Sequence, residues 1–159
     1  MDLLTFLGGS ETHLPLVAIL SRLLIAAVLG GAIGFERATQ AGAAGVRTHM
    51  LVSLAAALFT VLAFELFARA REGGSQNPDP IRAIEAVTAG IAFLGAGAIF
   101  HTRGSVQGLT TGAGMWLAGA IGVTAGIGLY ALAGLVALFA IVVLSLLRRW
   151  SHHLPKGEQ

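Results

Sequence analysis

The 159-residue chain has no cysteine, only four prolines, one tyrosine and 11% charged residues. Without cysteine there is no disulfide framework, thiolate nucleophile or sulfur-ligated metal. The scarcity of charge excludes more. A soluble globular domain carries about 25% charged residues, so this chain could not cover a water-facing surface. Its first segment, Met1–Leu14, holds Asp2 and Glu11 but no Lys or Arg. A cleavable signal needs a positive n-region, so the first apolar block is expected to be a retained helix.

What the chain does have is apolar length. Hydrophobic residues make up 55% and mean hydropathy is +0.80. They are grouped in blocks long enough to cross a bilayer, which takes about 20 residues per helix. The formal charge of +2 and pI near 9.9 look basic. The Lys and Arg residues flank apolar segments and form no face or tract, so membrane topology explains them better than nucleic acid.

The pattern predicts an all-α integral membrane protein, a compact bundle of five transmembrane helices. The spans fall near 14–36, 48–69, 81–100, 110–127 and 129–147. Together they make one transmembrane domain, 1–147, followed by a short basic cytoplasmic tail, 148–159. The linker Arg69–Pro80 is the strongest loop signal, and its Asp79–Pro80 suits a capped helix start. The uncharged stretch Gly112–Leu147 would be about 54 Å long as one helix, against a hydrocarbon core of roughly 30 Å. Gly126–Ile127–Gly128 supplies the break that divides it. With five spans, Arg37, Arg47, Arg103, Arg148, Arg149 and Lys156 share one side, against Arg69, Arg71 and Arg82 on the other. The positive-inside rule then places the N-terminus outside and the C-terminus inside. Four spans would invert that orientation.

Small residues are dense in the spans. Gly30 and Gly34, then Gly90, Gly95 and Gly97, then Gly122 and Gly126 are candidate packing positions. In lipid, close backbone approach through small residues supplies the van der Waals contact between helices. The same positions could form a homodimer face.

Ionisable residues inside spans are costly and need a partner or a water-filled cavity. Arg22, Glu65, Arg82 and Glu85 all fall in the outer half, two of each sign. The expectation is a neutral network in which Arg22 pairs with Glu85 or Glu65. The simpler alternative for Glu65 and Arg82 is snorkelling to the interface. A second group gathers at the inner face: Glu36, Arg37, Arg47, Thr48, His49, His101, Arg103, Thr110 and Thr111. Loop arginines there set topology by default, but hydroxyls at helix starts can cap N–H groups, and positive helix ends can receive an anion. The five His residues are scattered, and no catalytic or phosphate-binding motif is present. An Mg²⁺ path would need carboxylates, and only Glu36, Glu65 and Glu85 lie in or beside the spans. No enzyme, cofactor or metal is expected.

Several segments together resemble the MgtC/SapB family of bacterial membrane proteins. They are Arg22–Leu24 with Gly30–Arg37, Gly45–Val46–Arg47–Thr48–His49, Asp79–Arg82 with Gly90–Gly97, and Gly108–Thr111 with Trp116. Ala92 stands where that family usually has Gly, and Gly112 and Gly114 where Ala is common. The likeness covers roughly Leu16–Leu147, and the chain is expected to lack the C-terminal soluble domain of the virulence-associated members. The resemblance implies an inner-membrane protein linked to low Mg²⁺, acid or host stress. It further implies regulation through membrane-protein partners, including the F-type ATP synthase. The leading expectation is therefore a non-enzymatic regulator; the alternative is a small-ion transporter for Mg²⁺ or protons.

Overall fold

Proline and glycine set most of the helix boundaries in the computed structural model. It describes residues 12–38, 44–74, 79–102 and 105–151, without the side chains of residues 102 and 147–151. Helix α1 (Leu16–Ala38) starts after Pro15, whose carbonyl accepts the N–H groups of Ala18 and Ile19 at 2.9 and 3.1 Å. Helix α2 (Val46–Glu72) is entered through Gly45 and left through Gly73 and Gly74, the latter at φ 80°. Helix α3 (Pro80–Gly97) opens as its sequence predicts. Asp79 Oδ1 accepts the Ile81 N–H at 2.9 Å, and Pro80 occupies a position that needs no donor.

The chain then departs from the expected all-helical plan. Phe100–Thr102 (β1) and Ser105–Gln107 (β2) pair antiparallel as a small hairpin, with His101 opposite Val106. Helix α3 therefore stops at Gly97, three residues short of the expected Phe100. Gly108, at φ 86°, turns the chain into α4 (Leu109–Ile127), and a Cβ there would strike the Ala98 carbonyl. The expected break after α4 is a glycine cap. Gly128 takes φ 99°, its N–H bonds the Ala125 carbonyl at 2.9 Å, and the Leu129 N–H bonds Thr124 at 3.1 Å. These two bonds satisfy carbonyls that the helix end would otherwise leave open, and the left-handed backbone favours Gly. Helix α5 (Tyr130–Ser151) follows and runs past 147 into the basic tail.

The described helices pack around α4, which touches α1, α2, α3 and α5. Its buried face is lined with glycine: Gly112, Gly114, Gly119, Gly122 and Gly126. The interior is correspondingly fine-grained. One cluster joins Ala26, Ile33, Ala57, Ile121, Ala125, Ala133 and Ala137; another joins Val52, Ala56, Ile91 and Ala118. Large apolar side chains point the other way, with Val17, Phe35 and Phe93 between 68% and 80% exposed. That inversion suits a lipid solvent, where bulky apolar groups lose nothing by facing outward and small ones let backbones meet. By length and composition α1, α2 and α3 can each cross a membrane.

Candidate functional site

Glycine contacts decide where polar side chains can sit. A Cβ at Gly30 would lie 2.6 Å from the His49 carbonyl oxygen, and one at Gly34 would lie 2.7 Å from Val46 Cα, so α1 and α2 touch backbone to backbone. On α4, a Cβ at Gly126 would fall 2.8 Å from the Ala57 carbonyl, and one at Gly122 would strike that of Ser53. Gly95 meets Gly112, with a Cβ on the latter 3.0 Å from the Gly95 carbonyl. Gly90 and Gly97 behave differently from the expected packing role. A Cβ at either meets nothing within 4 Å, whereas Ile91 and Gly95 are the buried residues of α3.

These contacts enclose a polar row on α2 at nearly helical spacing: His49, Ser53, Thr60 and Glu65, none more than 7% exposed. At the end where α1 finishes, His49 is fully buried between α1, α2 and α4. Its Nδ1 lies 2.9 Å from the Gly45 carbonyl, a contact that requires Nδ1 to carry the proton. Nε2 is left as an acceptor facing Gly114, where a Cβ would approach to 3.0 Å. Neither Nε2 nor the Ser53 hydroxyl has a hydrogen-bond partner in the described structure. Arg37 is buried alongside, with Nη2 3.5 Å from Thr111 Oγ1.

Of the residues expected at this face, the structure thus brings Arg37, His49 and Thr111 together. Glu36 and Thr48 are half-buried, and Arg47, Thr110 and His101 are exposed. Arg103 and Lys156 lie outside the described residues, as do the His152–His153 pair and the first eleven residues.

At the opposite end the expected charge network is not formed. Arg22 Nη1 donates to the Gly126 carbonyl at 2.8 Å, and its guanidinium lies over Gly128. It therefore caps the end of α4, where open carbonyls concentrate negative charge, and does not pair with Glu65 or Glu85. Glu65 is instead taken by the chain entering α1. Its carboxylate accepts the backbone N–H groups of His13 and Leu14, each at 2.9 Å, while His13 Nδ1 lies 3.1 Å away. His13 Nε2 reaches Glu72 at 3.0 Å. A ring with both nitrogens on carboxylates must donate from both, so the geometry is that of an imidazolium. Hydrogen bonds to Glu72 and then Glu65 hold the His13 pKa above its ordinary value. Arg82 and Glu85 stand exposed on the first turns of α3, with no ion pair among the described residues. Helix α3 packs on α2 and α4 and not on α1, the helix that carries Arg22.

Sequence reasoning missed His13, Glu72, Ser53 and Gly114. Two signals were present: Glu65 and Glu72 stand seven residues apart on one face of α2, and Gly112, Gly119 and Gly126 recur every seven on α4. Among the described residues no three His, Cys, Asp or Glu side chains converge as a metal site.

The comparison with known proteins bears on this arrangement directly. The profile of the MgtC family matches residues 23–153, which takes in the glycine contacts of α1, α2 and α4. The chain belongs to the MgtC family. It is 41% identical over 134 residues to "Protein MgtC" of Brucella abortus (strain 2308), covering 84% of this chain and 53% of that protein. To the "Putative magnesium transporter YhiD" of Escherichia coli (strain K12) it is 35% identical over 133 residues, covering 84% and 62%. "Protein SrpB" of Synechococcus elongatus is 34% identical over 139 residues, with 80% and 74% covered. The chain thus spans a little over half the length of the MgtC and YhiD proteins. No solved structure matches it. Family and apolar helices together identify a bacterial membrane protein.

Proposed function

We propose that this MgtC-family chain is a five-span protein of the bacterial inner membrane, with its N-terminus outside and its C-terminus inside. Helix α4 supports the count, since it packs against α1, α2 and α3, each of spanning length, and its neighbour α5 turns back from it through the Gly128 cap. In this reading the protein is a non-enzymatic regulator that acts on membrane-protein partners during adaptation to low Mg²⁺, acid or host stress. The F-type ATP synthase is the partner that the family resemblance points to.

The observation that carries the regulatory reading is the close packing of the interior. Gly30, Gly122 and Gly126 bring backbones against α2 beside His49, Ser53 and Thr60 of its polar row. In this reading so tightly packed a bundle acts through its lipid-facing surface, on neighbours in the bilayer. The rival reading, a small-ion transporter, draws on that same buried row and on the name of the YhiD relative. Mg²⁺ and proton flux into liposomes holding the purified protein separates the two. The regulator gives no flux above protein-free vesicles; saturable flux lost in Glu65→Gln would establish transport. A C-terminal reporter fusion tests orientation, and activity only outside the cytoplasm would overturn the five-span assignment.

A further inference from the structure

The contact between α2 and α3 is incomplete. It leaves a groove of about 320 Å³ with almost wholly apolar walls, formed by Val52, Ala56 and Phe59 on one side and Ala86, Gly90 and Leu94 on the other. Gly90 keeps it open, since no atom lies within 4 Å of the place its Cβ would occupy. That volume suits a stretch of hydrocarbon chain better than a whole transmembrane helix, which is about 10–12 Å across with its side chains.

One wall of the groove is the ridge Ala86, Gly90 and Leu94, at four-residue spacing, and Arg82 continues that row one turn toward the start of α3. Arg82 is exposed and has no ion pair among the described residues. Glu85, though near, falls outside the row. From Arg82 to Leu94 the helix rises about 18 Å, close to half of the roughly 30 Å hydrocarbon core. The guanidinium thus stands at the depth of a headgroup while the groove runs through one leaflet. We propose that the α2–α3 groove binds one acyl chain of an anionic phospholipid whose headgroup phosphate rests on Arg82.

Native mass spectrometry of the purified full chain, given phosphatidylglycerol or phosphatidylcholine at equal concentration, tests this. Wild-type protein retains one phosphatidylglycerol per chain and about fivefold less phosphatidylcholine, the preference that one basic residue provides at a membrane surface. Arg82→Gln lowers phosphatidylglycerol retention to the phosphatidylcholine level. Gly90→Leu, which fills open space, removes retention of both lipids while helicity and elution volume stay as in wild type; Ala86→Leu repeats the test from the next turn. Equal retention of the two lipids by wild type, or unchanged retention in both groove variants, overturns the proposal. So does a wild-type dimer that Gly90→Leu splits without loss of lipid, since the groove would then hold a second copy.

Discussion

His13 Nδ1 lies 3.1 Å from Glu65 Oε2, and the same carboxylate accepts the His13 backbone N–H at 2.9 Å. One side chain near the end of α2 thus ties down the chain that enters α1. With Glu72 on the second ring nitrogen, this clamp depends on a proton.

The pH dependence follows from the direction of the His13 shift. Its folded pKa is raised above 6.5, chiefly by Glu72 and then by Glu65. The clamp's stabilisation is therefore fully present below 6.5 and is lost as pH rises through the raised folded value. Thermal melting in detergent is expected to show wild type above His13→Gln at acidic pH, with the two converging in alkali. A constant gap across that range would contradict the clamp.

Arg22 offers a test of what replaced the expected charge network. Arg22→Ala removes the donor to Gly126 and should cost about 1–3 kcal/mol, the usual loss for a buried partner left unsatisfied. Because Glu85 makes no ion pair with it among the described residues, Glu85→Gln should add to that loss within about 0.5 kcal/mol and bring no rescue. Denaturant titration of the two single variants and the double variant measures the coupling.

Glycines on different helices should respond in opposite ways. A side chain at Gly122 would strike the Ser53 carbonyl, so Gly122→Ala is expected to destabilise by about 1–3 kcal/mol or more. Gly90→Ala enters open space in the middle of a helix and should stabilise by roughly 0.5–1 kcal/mol. The sign difference can be read from melting temperatures alone.

At Gly108 two costs combine. Its φ of 86° disfavours any L side chain by roughly 1–2 kcal/mol, and a Cβ would also meet the Ala98 carbonyl. Gly108→Ala should therefore lower folded yield sharply, whereas Gly97→Ala, eleven residues earlier and in open space, should leave it near wild type. Fluorescence-detected gel filtration of the two variants gives the comparison.

The helical plan was largely legible because it depends on local features. Apolar blocks mark the helices, Asp79–Pro80 marks a start, and Gly128 marks a stop, each through the backbone of a few consecutive residues. The hairpin escaped notice because three-residue strands carry no period, and Phe100 and Ile99 read as a continuation of α3. The site was less legible. Counting charges by depth grouped Arg22 with Glu65 and Glu85, but depth is only one coordinate, and direction around each helix decides which groups meet.

From the sequence alone follow the membrane as solvent, the helical segments and the glycine-mediated style of packing, which rest on composition and short-range pattern, and membership in the family, which rests on ordered motifs matched along residues 23–153. The tertiary structure decided which glycines are contacts and which are openings, that Arg22 caps α4, and that Glu65 holds His13. It also decided that His49, Ser53 and Arg37 share a buried corner. The physical reason is that a helix presents a side chain every 100°. Small errors in rotation exchange partners completely, and only the packing of the described helices against one another fixes those rotations.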